Sequence, residues 1–173
     1  PADASPLTCI VGDRAYQAEV GIELVGAGEG GLLLFYNHKA FVGIGFTATE
    51  LRVFQYAEEQ RWARQQMATR NVRIRLTNIG NVVTFHFSHD AGQSWTRLET
   101  RMEVSGLHHN VFGGFLSLKL GIYSAGKGAV RLSEQSQSAA SISESTAARI
   151  QNVAASTEEV SSNSTVVASA AEE

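Results

Sequence analysis

The chain has 173 residues, a formal net charge of -3 and 18% charged residues. This length accommodates one hydrophobic core of ordinary size and little more. The charge leaves no broad basic surface for a phosphate backbone or an anionic lipid surface, so neither nucleic acid nor membrane is expected as a partner. The sequence also has no apolar run of the roughly 20 residues that a membrane-spanning helix requires.

The N-terminal segment carries the single cysteine, Cys9, within the apolar run of residues 7–11. One cysteine forms no internal disulfide, which is usual in a reducing compartment and favours a cytoplasmic location. The apolar neighbours predict that Cys9 is a buried core residue rather than a nucleophile. Because the chain begins at Pro1 rather than at a methionine, we expect it to be an internal piece of a longer protein.

Residues 16–132 are rich in glycine, aromatic and β-branched residues. From residue 16 to 24 apolar or small side chains alternate with polar ones or glycine, which places one face of a strand on a core. Three later runs have the same period: Val72/Ile74/Leu76, Val83/Phe85/Phe87 and Leu116/Leu118/Leu120/Ile122. Many short strands joined by turns predict a mainly β fold, either a β-sandwich or a jelly roll.

Segments rich in glycine, asparagine and aspartate divide these runs and predict the turns between strands. They are residues 26–31, 37–39, 78–81 and 90–92. Residues 121–127 match the first part of a phosphate-binding loop, but Gly128 stands where that loop has Ser or Thr, so we predict a tight turn between two strands. Residues 58–68 fit either a short helix or an exposed strand and loop.

Ser88, Asp90, Gly92 and Trp95 match the Ser-x-Asp-x-Gly-x-x-Trp pattern that is known as the Asp box. In this pattern the carboxylate accepts hydrogen bonds from turn N–H groups, the glycine takes a left-handed conformation, and the tryptophan packs beneath the turn. A single copy does not form a propeller. We therefore predict a structural role for this turn.

The sequence predicts no catalytic, metal or cofactor site within the chain. His108, His109 and Asn110 are adjacent, but adjacent residues on a strand point to opposite faces, and no third and fourth ligand follows at a metal-site spacing. No Ser/His/Asp arrangement and no pair of carboxylates in apolar surroundings stands out, because most of the acidic residues of the β half lie in turns or alternate outward. Catalysis is expected to reside outside this chain.

The composition changes after Leu132, because residues 133–173 contain no glycine, proline or aromatic residue. Within this tail a heptad seam is formed by Ile150, Val153, Thr157, Val160, Ser164, Val167 and Ala171. We expect a helical tail that self-associates as a coiled coil, and a disordered low-complexity segment is the alternative. The predicted organisation is a β-sandwich in residues 1–132 followed by a helical or disordered tail in residues 133–173.

Five ordered segments of the β half carry a family resemblance: GDRAY, GLLLFYN, VGIGF, FHFSHD and HHNVFGGFLSL, which begin at residues 12, 31, 42, 85 and 108. Through them residues 5–132 resemble the C-terminal domain of family 43 glycoside hydrolases, the β-xylosidase and arabinofuranosidase group. The resemblance implies a concanavalin A-like jelly roll packed beside an N-terminal five-bladed propeller that holds the catalytic acid and base. The chain would then be a non-catalytic accessory domain, with that propeller and its xylo-oligosaccharide or arabinoside substrate as partners.

In some relatives of this domain a phenylalanine reaches the substrate pocket of the propeller. The resemblance therefore implies that Phe112 or Phe115 lies at the mouth of the active site, with His108, His109 and Asn110 beside them. A plain core position is the alternative for Phe115, since it begins the alternating run that ends at Ile122. The catalytic residues themselves would lie upstream of Pro1, in a parent protein that is an O-glycosyl hydrolase.

Residues 150–162, IQNVAASTEEVSS, resemble the cytoplasmic helices of methyl-accepting chemotaxis receptors. Paired glutamates of those helices are methylated, and the matching candidates here are Glu158, Glu159, Glu172 and Glu173. This supports a second hypothesis, a sugar-sensing or oligomerising protein in which the sandwich binds sugar and the tail assembles helices. The hypotheses differ in what adjoins the chain, which is a propeller in the first case and receptor segments with a membrane span in the second.

Overall fold

The computed structural model describes residues 5–11, 15–114 and 116–132, and these residues form a mainly β fold, as predicted. A 3-10 turn spans Arg61–Ala63, and one helical turn, α1, spans His109–Phe112. The ten strands are β1 (Leu7–Ile10), β2 (Ala15–Asn37), β3 (Ala40–Phe46), β4 (Glu50–Gln55), β5 (Glu58–Glu59), β6 (Gln65–Gln66), β7 (Asn71–Ile79), β8 (Val82–Ser88), β9 (Thr96–Glu103) and β10 (Lys119–Leu132).

β2 organises the sheet because it is 23 residues long and takes part in both layers of the sandwich. One of its edges pairs with β7 along residues 15–23 and with β3 along residues 30–37. Its opposite edge pairs with β10 along residues 22–35. β4 and β5 extend the layer of β3, whereas β8 and β9 extend the layer of β7. The strands thus form one curled, antiparallel sheet, and the predicted jelly-roll sandwich is confirmed.

An apolar core fills the space between the two layers. Alternate residues from both halves of β2 contribute to it: Val20, Ile22, Leu24, Leu32, Leu34 and Tyr36. The predicted period of two is confirmed in β7 and β8, whose inward side chains are buried. The last predicted run differs, because Leu116 is 46% exposed and β10 begins only at Lys119. Each fully buried side chain of this size stabilises the fold by roughly 1.5–3 kcal/mol.

Two glycine-rich segments that were predicted as turns lie inside long strands instead. Residues 26–31 belong to β2 and residues 121–127 to β10, and the two pair with each other. A Cβ atom on Gly28 would lie 2.9 Å from the Cα atom of Gly128, so the backbones approach very closely. Such close glycine pairs let a ribbon of two strands bend from one layer into the other, which explains the glycines without a hairpin.

The prediction that Cys9 is buried is wrong. β1 pairs with β10 at an edge of the sheet, and Leu7, Cys9 and Ile10 are all exposed. An apolar run can therefore mark an edge strand as well as a core. Within the part of the chain that the structure describes, no helix has the length and apolar character for crossing a membrane.

In the Asp-box turn between β8 and β9, the carboxylate and the glycine have the predicted geometry. Asp90 accepts a hydrogen bond from the Ser88 hydroxyl at 2.6 Å and from the Ser94 N–H at 2.9 Å, and Gly92 has a φ of +92°. These bonds, first the one from Ser88, hold the pKa of Asp90 well below its usual range. Trp95 is half-buried, and the guanidinium of an arginine in β7 lies 3.8 Å from its ring centre.

The predictions for the tail lie outside the described residues. They are the helical seam of residues 150–171 and the methylation candidates Glu158, Glu159, Glu172 and Glu173. The last described strand, β10, ends at Leu132, where the composition of the sequence changes.

Candidate functional site

The structure brings four of the predicted mouth residues together in one helical turn. His108 precedes α1 and caps it, since its Nδ1 atom accepts a hydrogen bond from the Asn110 N–H at 3.2 Å. His109, Asn110 and Phe112 follow within α1. Phe115 lies outside the described residues. Because this segment is a helical turn rather than a strand, the expectation that its neighbouring side chains point to opposite faces is wrong.

Phe112 is half-buried beside a second aromatic ring. Its ring stacks on that of Tyr56 with 6.3 Å between centroids and 24° between planes, and it also packs against the edge of the core. Nearby, Val111 is 60% exposed and Leu116 is 46% exposed. The segment therefore presents apolar side chains to the solvent from a short, ordered turn.

A buried hydroxyl anchors the backbone that follows α1. Tyr36, at the end of β2, is 1% exposed, and its Oη atom donates to the Gly113 carbonyl at 2.6 Å. The same oxygen accepts a hydrogen bond from the Leu116 N–H at 3.3 Å. Gly113 and Gly114 have φ values of +70° and +89°, a region that favours glycine. In the sequence Tyr36 belongs to one of the segments that carry the family resemblance, and the signal of its role is a phenol at the end of the apolar run of residues 32–35.

A second candidate site is a pocket of about 620 Å³ that is lined by residues of β2, β4, β10 and the turn between β3 and β4. The turn between β3 and β4 contributes Thr47 and Thr49, and the first residue of β4 contributes Glu50. Small residues of β2 and β10 line the other side. Arg52 and Glu29 complete the lining. The pocket thus combines two carboxylates, one guanidinium and two hydroxyl groups.

Glu29 is the buried charge of this pocket, at 8% exposure. Its Oε2 atom accepts a hydrogen bond from Arg52 at 2.8 Å, and its Oε1 atom accepts one from the Tyr123 hydroxyl. Arg52 also contacts Glu50 at 3.3 Å, so one guanidinium bridges both carboxylates. Burial raises the pKa of Tyr123 well above its ordinary value, and the Glu29 carboxylate adds to the increase. The phenol consequently remains a proton donor.

Glycines make room for this network. A Cβ atom on Gly45 would lie 1.9 Å from the Tyr123 hydroxyl oxygen, and a Cβ atom on Gly31 would lie 2.1 Å from the Ile44 carbonyl oxygen. The Tyr123 ring belongs to a second apolar cluster, which it forms with Leu33, Phe41 and Phe54. The buried carboxylate therefore lies beside an apolar layer, where its two hydrogen-bond donors matter most.

Chemically, this pocket suits a neutral ligand that is rich in hydroxyl groups. Carboxylate oxygens accept hydrogen bonds from O–H donors, and threonine hydroxyls both donate and accept them. The guanidinium of Arg52 occupies the position between Glu29 and Glu50 that a cation would need. In residues 5–11, 15–114 and 116–132 no three His, Cys, Asp or Glu side chains are grouped to hold a metal.

Sequence analysis missed this pocket because it placed Glu29 in a turn. Glu29 meets Arg52 and Tyr123 across 23 and 94 residues of chain, respectively, and no local pattern encodes such distant contacts. The available signal is a lone glutamate between Gly28 and Gly30, in a segment where small residues allow close strand contact.

A comparison with known protein families matches most of the chain to one family of concanavalin A-like domains. Residues 13–140 match the model of a family described as β-xylosidase C-terminal concanavalin A-like domain. No curated protein matches the chain.

Solved structures with a similar fold include the GH43 BlXynB protein from Bacillus licheniformis, at 12% identity and a TM-score of 0.58, over 68% of this chain and 26% of that chain. They also include a xylan β-1,4-xylosidase from Bacillus halodurans C-125, at 10% identity and a TM-score of 0.61, over 71% of this chain and 26% of that chain. At such identities the likeness concerns the fold alone. The chain spans about a quarter of the length of these structures.

Proposed function

Because this chain belongs to the family of β-xylosidase C-terminal concanavalin A-like domains, we propose that it is the non-catalytic accessory β-sandwich of a family 43 glycoside hydrolase. In the full-length protein it supports and caps a catalytic propeller encoded upstream of residue 1. The substrate class is a xylo-oligosaccharide or an arabinoside. The observation that carries the proposal is the apolar turn at residues 108–114, which with Leu116 is suited to line the mouth of a neighbouring active site.

Aromatic and aliphatic side chains at this turn support the capping role. Sugars pack their apolar C–H patches against ring faces, and the ring of Phe112 is held in place by its stacking on Tyr56. Val111 and Leu116 are exposed beside it and supply apolar surface for contact with the propeller. His109 and Asn110 add polar groups that can reach a sugar hydroxyl.

The arrangement of the two carboxylates in the pocket also supports the assignment of catalysis to another domain. Inverting hydrolysis requires an acid and a base on opposite sides of the scissile bond, with room for water between them. Glu29 and Glu50 are instead both bound to Arg52, which occupies that space. We therefore assign the catalytic pair to the upstream propeller.

For the full-length enzyme, we predict that Phe112→Ala raises KM for xylobiose by up to about tenfold, because a stacking contact with bound sugar is lost. The expected kcat changes less, since the acid and base are in another domain. Ile79→Ala is the matched control, because Ile79 is 69% exposed and lies in the hairpin between β7 and β8. Steady-state kinetics give both constants. An equal effect of the two substitutions, or no in-frame catalytic domain upstream of residue 1, would refute the proposal.

A second candidate function is sugar binding by the sandwich itself, as the sensing hypothesis requires. It is favoured by the hydroxyl, carboxylate and guanidinium groups that converge in the pocket at Glu29 and Arg52. We expect Glu50→Gln to weaken binding of xylobiose to the isolated chain about tenfold, because a charged hydrogen-bond acceptor is lost. Glu99→Gln, on the exposed face of β9, is the control. Calorimetric titration measures both, and an absence of binding by the unmodified chain excludes this function.

A further inference from the structure

We propose that Tyr36 is the positioning residue of the mouth loop, defined here as residues 108–114 together with Leu116. Its hydroxyl group, held in the core of the sandwich, sets the conformation in which Phe112 and Leu116 are presented. This inference rests on the proposed function for its biological meaning, but the contact itself concerns only this chain.

The hydroxyl group of Tyr36 has a fixed position in the core. Tyr36 belongs to β2, its ring is part of the main core, and it is 1% exposed, so its own position is fixed by packing. Its oxygen donates to the Gly113 carbonyl at 2.6 Å and accepts from the Leu116 N–H at 3.3 Å. One rigid atom thus joins two points of the loop that are three residues apart.

The backbone of the loop shows why such an anchor is needed. The turn α1 is closed by its own backbone hydrogen bond, which the Gly113 N–H donates to the His109 carbonyl at 2.8 Å. Beyond it, Gly113 and Gly114 adopt positive φ values of +70° and +89°. Two consecutive glycines have many accessible conformations, so their sequence alone does not specify one. The bonds from Tyr36 select the conformation that is observed.

Phe112 is held from a different direction. Its ring stacks on Tyr56, whose hydroxyl donates to the Glu103 carbonyl at 3.2 Å. The Tyr56 ring therefore orients the Phe112 side chain, whereas the Tyr36 hydroxyl fixes the backbone that follows it. The two tyrosines offer a matched pair of substitutions, because each loses one hydroxyl while retaining its ring.

We expect Tyr36→Phe to increase amide hydrogen exchange at Leu116 about tenfold at neutral pH, because two hydrogen bonds to the loop are lost while the core remains filled. Exchange in β7 and β8 is expected to change much less. Tyr56→Phe is the control, and it is expected to leave exchange at Leu116 within twofold. Exchange at Leu116 that is unchanged by Tyr36→Phe, or that rises equally in β7 and β8, would overturn the positioning role.

Kinetic measurements on the full-length enzyme distinguish this inference from the proposed function. If the mouth loop lines the active-site mouth, Tyr36→Phe raises KM for xylobiose several-fold with kcat within about twofold, because substrate contacts loosen while the chemistry is unaffected. Faster exchange at Leu116 with an unchanged KM would support Tyr36 as the anchor of the loop and would exclude the loop from the active-site mouth. Slow exchange together with a raised KM would support the mouth and remove Tyr36 as its anchor.

Discussion

Gly31→Ala is expected to cost about 3 kcal/mol or more of the free energy of unfolding, which is a large share of the stability of a single domain. The new Cβ atom would lie 2.1 Å from the Ile44 carbonyl oxygen and 2.7 Å from the Gly45 Cα atom. Both are backbone atoms of the neighbouring strand β3, so no side chain can rotate away to relieve the overlap. The strands would have to separate where β2 joins β3 and β10.

Urea unfolding of the purified chain, followed by intrinsic fluorescence, measures this loss. Gly106→Ala is the matched control, because a Cβ atom there would have one neighbour within 4 Å, the Tyr56 hydroxyl at 3.8 Å. The control is expected to change the free energy of unfolding by less than about 0.5 kcal/mol. If Gly31→Ala and the unmodified protein are equally stable, β2 and β3 are less tightly packed in solution than in the structure.

Arg52→Met is expected to destabilise the fold by about 2–3 kcal/mol, because it leaves the buried Glu29 carboxylate without its cation. Removal of one member of a fully buried pair costs roughly 3–5 kcal/mol, and the lower figure here allows for the 29% exposure of the Arg52 side chain. The Tyr123 hydroxyl still donates to Glu29 in this variant, but a single donor does not replace the lost charge.

The double variant Glu29→Gln with Arg52→Met distinguishes charge from packing. A neutral amide needs no counter-ion, so this double variant is expected to be more stable than Arg52→Met by about 1–2 kcal/mol. The comparison is made at neutral pH by urea unfolding. If the single and double variants are equally stable, the loss at Arg52 comes from packing of its aliphatic part, and the charge assignment is wrong.

Much of the sandwich could be predicted because its signals are local. The alternation in Val72, Ile74 and Leu76 requires only neighbouring residues, and the structure buries all three. The hairpin at Gly80 and Asn81 was also predictable, since both take positive φ values that glycine and asparagine tolerate.

Other features depend on contacts that the local sequence does not encode. Tyr56 and Ala57 form a turn with φ values of +51° and +66°, although neither residue favours that region, because the strands on either side hold them there. The glycines of residues 26–31 suggested a turn, since a local pattern cannot distinguish freedom to turn from room for a neighbouring strand. The pocket at Glu29 was missed because its partners are brought together only by the completed sheet.

The shared ribbon of β2 and β10 has a consequence for how the chain reaches its fold. Gly28 pairs with Gly126, a separation of 126 − 28 = 98 residues, and β2 serves both layers. Contacts of such long range make folding slow, because the entropy cost of closing a long loop is met before the contacts stabilise the chain. During synthesis the sandwich cannot be completed until β10 has left the ribosome. Because β2 contributes to both layers, we expect the two layers to gain and lose their structure in a single cooperative transition.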